Sequence, residues 1–332
     1  MTRGLKFVLS AGVALLTVGS MFAESAAAET QAVKLGFPAD KKILILHADD
    51  IGMCYEANEA AKVSLPGKHY LSCSAMAPCP WFNEFADWCK QNPQYDVGLH
   101  VTLNSEWKFY RWGSVSDPSD VPGLLDKTGY LHNSTVVTAL RAKPDQVEKE
   151  IRAQFEKAIA AGFRPSHIDS HMGTVFARPD FIEAYLKVAK DYKVPAFVPA
   201  PSEKLIARLR KEGSPITAQH IELMEKHEGP KVDDFYVIGG GAKDYEEKKS
   251  QTLALIESLE PGLTQVIFHP SVETETTRQI TGTARTRGWE AKLWGDPDVI
   301  KYFADHGIIQ TDWRELQKRY DEHVAKTKPA TP

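Results

Sequence analysis

The chain has 332 residues, and its 40 Lys and Arg against 44 Asp and Glu give a formal net charge of −4. Acids and bases are interspersed and no basic stripe forms, which argues against a nucleic-acid partner. The first 30 residues, MTRGLKFVLSAGVALLTVGSMFAESAAAET, place Arg3 and Lys6 before an apolar run from Phe7 to Phe22, with Ala26 and Ala28 at the spacing of a signal-peptidase site. Residues 1–28 therefore read as a secretory signal peptide. The competing reading, an uncleaved membrane anchor, fits less well. Ser10, Gly12, Thr17, Gly19 and Ser20 interrupt a run already short of the roughly 20 apolar residues a bilayer span needs. The expectation is an exported protein, periplasmic or extracellular, with no stable membrane span after cleavage.

The mature chain is long enough for one large α/β domain or two smaller ones. Lys42–Ala48 reads as a buried strand and Tyr55–Ser64 as the helix behind it. Tyr70–Pro78 is strand-like, and Trp81–Gln91 is helical with Phe82, Phe85, Trp88 and Cys89 on one face. Tyr95–Leu103 is a strand. Asn104–Ser134 breaks the alternation with aromatics, Pro, Gly and Asp, and an insertion of that length after a strand is more often functional than idle. Asp145–Gly162 is an amphipathic helix stopped by glycine, "RPSHIDSH" a short strand into a loop, and Arg178–Tyr192 a helix with proline in its first turn. The same alternation continues through "VPAFVPA", "SEKLIARLRKEG", "DDFYVIG", Tyr245–Glu260, Leu263–Pro270, Asp298–Gly307, "IIQTDW" and "RELQKRYDEHVAK". Repeated β–α–β order means parallel strands covered by helices, an α/β barrel or a doubly wound sheet. The division expected is a signal peptide at 1–28, an N-terminal extension at 29–40, one catalytic domain at 41–326 and a flexible tail at 327–332. The four cysteines, Cys54, Cys73, Cys79 and Cys89, lack paired C-x-x-C spacing and read mainly as buried thiols, although an exported protein could oxidise Cys73 and Cys79.

Chemistry-bearing residues gather where strands end. The first strand ends in Asp49 and Asp50, the third carries His100, the fourth gives His167, Asp169 and His171, and a later one ends in His269. Parallel α/β folds turn all strand C-termini to one mouth, where ligands bind. Each residue alone reads more readily as a cap or a hydrogen-bonded core histidine; their convergence favours a site. Two imidazoles and a carboxylate suit a divalent ion with open positions. Zinc is the first choice, with Mn, Fe, Co or Ni as alternatives and Mg less favoured by imidazole. A second carboxylate could take a proton from water and a histidine opposite could donate one to a leaving group.

The stretches "ILHADDIGMCYEANEA", "VGLHVTL", "PSHIDSHMG" and "IFHPS" are similar, in order and setting, to those of the YdjC/ChbG-like carbohydrate deacetylase family, related to the polysaccharide deacetylases; the similarity spans roughly Lys41 to Trp313. The resemblance implies a single (β/α) barrel-like deacetylase domain with an incomplete or distorted barrel. It implies metal ligation by Asp50, His100 and His167, a base role for Asp49 and an acid or transition-state role for His269. His171 is the alternative ligand, and Asp169 reads as a carboxylate that orients a ligand imidazole. The chain departs from the family pattern at "HMGTVF" after Ser170 and at Ser271, where many members have glycine. Trp107, Tyr110 and Trp112, together with Phe109, could line a glycan subsite or form a satellite core under the insertion; Arg178 and Arg287 could contact a hydroxyl-rich or anionic ligand. The function expected is removal of acetyl groups from N-acetylated sugars or oligosaccharides of chito-oligosaccharide type. The substrate is then the partner, and a homodimer is compatible with the sequence. The alternatives are another hydrolase on the same metal, a phosphoesterase or glycosidase, or a non-catalytic glycan-binding protein. Adjacent Asp49 and Asp50 are poorly placed to flank a glycosidic bond, as a glycosidase requires.

Overall fold

The computed structural model describes residues 29–327; the signal-peptide reading falls outside them. Seven strands form one sheet: β1 Lys42–Ile51, β2 Ser72–Ala75, β3 Asp96–Val101, β4 Ile168–Ser170, β5 Asp234–Val237, β6 Gly262–Phe268 and β7 Ile309–Gln310. The order is β4-β3-β2-β1-β6-β5, and β7 pairs with the start of β1. Every pairing is parallel, so every strand delivers its C-terminal residue to the same rim.

The sheet curls into a partial barrel. Between its edges, β4 and β5, the chain at 196–199 makes only two single bridges, Ile168 to Ala196 and Pro199 to Val232. The strand expected over "VPAFVPA" is reduced to these contacts, because Pro195 and Pro199 lack the N–H that a ladder needs. Helices cover the outside. Ala57, Ala61, Phe82, Phe85, Ile151, Phe155 and Tyr185 pack from them onto the outward faces of β1–β4 in one apolar core. Among the described residues no helix is long and apolar enough to cross a membrane.

The sheet's inward face is polar at the rim and down into its interior. Along β1, His47 and Asp49 share a face by the two-residue pleat, and both are buried. Asp50 would point outward in a regular strand. It sits at φ 63°, and the β1–β2 register shifts between Ala48 and Ile51, three residues on β1 spanning two on β2. This is a bulge, and it lets two adjacent acids reach one site. Gly52 follows at φ 83°, and a Cβ there would lie 3.2 Å from the Phe82 Cα; the turn needs glycine.

Among the described residues, five helices escaped the sequence reading: the short Gln31–Lys34 and Glu275–Ile280, and Thr135–Arg141, Ala218–Lys226 and Ala284–Leu293. The last, "ARTRGWEAKL", has an internal glycine and no apolar stripe. It nevertheless carries Arg287 and Glu290, which serve the site.

Candidate metal and catalytic site

Three ligand-type atoms surround one point at the rim. Asp50 Oδ1 lies 3.1 Å from His171 Nδ1 and 3.4 Å from His100 Nε2, and the two nitrogens are 3.3 Å apart. All three residues are buried. None of the contacts to Asp50 Oδ1 is aligned as a hydrogen bond, leaving that buried oxygen without a partner, an arrangement costly in a protein interior. Each imidazole is pinned from its other side. His100 Nδ1 is 2.7 Å from Asp169 Oδ1, and Ser74 Oγ donates to Asp169 Oδ2 at 2.8 Å. His171 Nε2 is 3.0 Å from Glu106 Oε2. Carboxylates on the far nitrogens fix the near ones as lone-pair donors, the usual support for a metal-bound histidine. Asp50 Oδ2 accepts from Arg287 Nη2 at 2.7 Å, so only Oδ1 is free.

The donor set fits a divalent ion. Three ligands held about 2.0–2.1 Å from a tetrahedral ion lie about 3.3 Å apart, against 3.1, 3.3 and 3.4 Å here.

Protonation agrees with this. Burial favours a neutral His171, but Glu106 and Asp50 outweigh it and hold its pKa up at about 9. Burial likewise opposes charge on His100, yet Asp169 and Asp49 raise its pKa well above the ordinary value. Asp50 stays ionised far below the usual carboxylate range, because Arg287 and His171 overcome the cost of burial. Without metal, protons on the two histidines supply the positive charge that the carboxylates require.

His167 lies elsewhere. It precedes β4, whereas His171 follows it, so the strand Ile168–Ser170 separates the two. β3 pairs His100 with Asp169, one level above His167. The His167 ring is fully buried, stacked on Trp313 at 5.6 Å. Its Nε2 is 2.8 Å from His47 Nε2, and His47 Nδ1 is 2.7 Å from Asp49 Oδ1. On the other side His167 Nδ1 is 3.0 Å from Ser166 Oγ and 3.6 Å from Asp96 Oδ1. His167 thus belongs to a buried chain, Asp49–His47–His167–Asp96, and clusters with His47 and Asp169 as a second group of metal-ligand type, whereas it is His171 that the structure brings to Asp50 and His100. The chain fixes one Asp49 oxygen and leaves Oδ2 near the cluster, 3.7 Å from His100 Nε2. At the far end His167, together with Ser166 and Ser72, outweighs burial and lowers the Asp96 pKa to about 2.

His269, the residue after β6, shares a cavity of about 720 Å³ with Asp49 and Asp169. Its backbone N–H donates to Glu290 Oε2 at 2.7 Å, and Glu290 is paired with the buried Lys248 at 2.6 Å. That pair sets where β6 ends.

The aromatic residues of the insertion pack among themselves. Trp112 is buried, donates from its indole nitrogen to Asn104 O, and backs His171 at 6.3 Å between ring centroids. Tyr110 donates to Met53 O at 2.6 Å. Trp107 packs edge-on to Trp112 and lies under the Arg287 guanidinium. These contacts favour a packing role, but in the main core, to which Trp112 belongs and against which Trp107 and Tyr110 pack, while Phe109 is exposed. Arg178 is a correction: its guanidinium donates to Ala139 O and Ala142 O and pairs with Asp180, ending the helix at Thr135–Arg141 instead of facing a ligand. Glu106 and Glu290 went unnoticed in the sequence, where they are acids without a motif. All four cysteines are buried free thiols.

A parallel partial barrel with buried imidazoles and carboxylates at its C-terminal rim defines a class, the barrel-like α/β enzymes whose rim residues could hold a divalent ion. The comparisons place the chain more closely. The pattern of the YdjC-like protein family matches residues 43–305, and the chain belongs to that family. It is 27% identical over 277 residues, covering 83% of this chain and all of the relative, to a carbohydrate deacetylase of Thermoanaerobacter pseudethanolicus. It is 31% identical over 132 residues, 40% of this chain and 49% of the relative, to a chitooligosaccharide deacetylase of Yersinia enterocolitica. A crystal structure from Enterococcus faecalis, provisionally described as a cellobiose-phosphate cleavage protein, superposes with a TM-score of 0.68 at 20% identity, over 83% of this chain and 99% of that one. That last likeness concerns the fold.

Proposed function

We propose that the chain is a metal-dependent carbohydrate deacetylase that hydrolyses the acetamide of an N-acetylated sugar, releasing acetate and an amino sugar. The observation that carries this reading is the convergence of Asp50 Oδ1, His100 Nε2 and His171 Nδ1 within 3.4 Å of one another beside Asp49. The names of the relatives from Thermoanaerobacter and Yersinia support it. Asp50, His100 and His171 would hold the ion, and nitrogen-rich ligation at this spacing favours zinc.

A divalent ion in this place supplies a Lewis acid for the acetyl carbonyl and a water of lowered pKa. The protein does the rest. Asp49, its Oδ1 held by His47, presents Oδ2 to accept the proton of the attacking water. Asp169 and Glu106 keep His100 and His171 in the donor tautomer throughout. His269, which shares the cavity with Asp49, gives a proton to the departing amine. Arg287 neutralises Asp50 from behind and holds it in place. The apolar and aromatic surroundings, Trp112 among them, limit competing water. The leader-like first 28 residues favour action outside the cytoplasm.

The test is acetate release from N-acetylated mono- and oligosaccharides by chelated protein, before and after adding zinc. Zinc-dependent acetate is the expected result; free phosphate from a phosphoester, or shortened sugars without acetate, would overturn the reading.

A further inference from the structure

The cavity that Asp49 and His269 open into is far larger than an acetyl group and has an unusual lining. It follows the gap between β4 and β5, where the barrel is joined only by single bridges. Its walls include Phe176, Ile216, Met224 and Phe235. Asp49 and Asp169, at the catalytic end, are its only carboxylates, and neither Lys nor Arg reaches it. Several other polar groups along it already have a partner: Thr135 with Thr174 at 3.1 Å, the Ser170 hydroxyl accepting from the Val175 amide at 3.1 Å, His220 Nδ1 with Thr217 at 2.7 Å. The buried Nε2 atoms of Gln265 and His220 lack partners, too few for a hydroxylated ring. Further sugar units placed here would leave hydroxyls unpaired, at a cost in desolvation that nothing in the lining offsets.

The rim continues the pattern. Val136, Leu140, Met172 and Val237 all line the cavity and are each more than half exposed. Four large apolar side chains at one mouth form a patch of the kind that meets an apolar ligand. Glu106, Trp107 and Arg287, the polar and aromatic groups around His171 and Asp50, are not part of this lining.

Resting on the deacetylase reading, we propose that the substrate is an N-acetylated amino sugar with an apolar aglycone, whose hydrocarbon tail lies in the cleft beginning at Asp49 and His269 and leaves past Leu140 and Val237. The cleft is continuous with the reacting groups and nearly free of charge, which selects a tail over a second sugar.

The experiment compares acetate release from the methyl and octyl β-glycosides of N-acetylglucosamine, both as monomers in solution, and from di-N-acetylchitobiose, using metal-loaded full-length protein. The octyl glycoside should exceed the methyl glycoside at least tenfold in kcat/KM, and chitobiose should show no such gain. Leu140→Lys and Val237→Lys, both at exposed positions, should each shrink the octyl-to-methyl ratio. Equal kcat/KM for octyl and methyl glycosides, or a larger gain for chitobiose, would overturn the inference and leave the deacetylase reading standing. Faster release of octanoate from N-octanoylglucosamine than of acetate from N-acetylglucosamine would place the tail on the acyl side and overturn it equally. No acetate from any of these substrates would overturn the deacetylase reading itself.

Discussion

At the residue scale, adjacent Asp49 and Asp50 divide their work through backbone geometry. The bulge and the φ of 63° at Asp50 turn its carboxylate to the metal point, while Asp49 remains on the pleat with His47. Asp49→Asn should therefore keep the metal and lose acetate release by about 10²–10⁴-fold, measured as metal content against kcat; loss of the metal in this variant would contradict the division. Protonation gives a second prediction. His171 has a folded pKa of about 9 against an ordinary 6.5. A raised pKa stabilises fully below the ordinary value and loses that contribution as pH climbs through the folded one. Asp96 and Asp169, lowered to about 2, stabilise above about 4 and lose that contribution in acid. Chelated protein should thus be most stable between about pH 4 and 6.5 and lose Tm towards pH 9. Zinc-loaded protein should not show that alkaline loss, since the ion replaces the protons; parallel alkaline slopes for the two forms would count against the cluster.

At the element scale, strand register decides which histidine lies beside Asp50 and His100. In "HIDSH" the spacing of i, i+2 and i+4 puts His167, Asp169 and His171 on one face of β4, and nothing in that pattern tells depth. Depth comes from β3, which pairs His100 with Asp169 and so leaves His171 at the rim and His167 two pleats lower. The strand ends, the meeting of Asp50 and His100 there and the pairing of Asp169 with an imidazole were legible in the sequence, because buried strands ending in acids and histidines form a local pattern. Which of His167 and His171 lies beside Asp50 and His100 was not, and neither were Glu106 and Glu290, which reach the site from a coil and from a helix without an apolar stripe; Arg287, read as a ligand contact, pairs with Asp50 instead. Packing between β3 and β4 is tight at the same level. A Cβ on Gly98 would lie 2.4 Å from the His167 ring. Gly98→Ala should lower stability by about 1–3 kcal/mol, the usual cost of overpacking, read as a drop in Tm, and should reduce kcat by disturbing the chain that holds Asp49. Unchanged Tm and kcat would show that β3 and β4 can separate there freely.

At the scale of the whole molecule, one curled parallel sheet carries polar residues from base to rim. Asp96 at the base accepts from the Trp313 amide at 3.0 Å and from Ser72 Oγ at 2.5 Å, tying the closing helix to the foot of the barrel. The chain His167–His47–Asp49 runs from there to the mouth, where Asp50, His100 and His171 meet. The gap between β4 and β5 opens the apolar cleft beside them. The two kinds of buried histidine therefore have different duties, and one comparison separates them. Metal content measured by atomic spectroscopy, after loading with one equivalent of zinc and desalting, tests the central claim for His171→Ala and His167→Ala. The structure predicts that His171→Ala loses the zinc and all acetate release, whereas His167→Ala keeps its zinc while losing stability. Zinc retained by His171→Ala and lost by His167→Ala would contradict it.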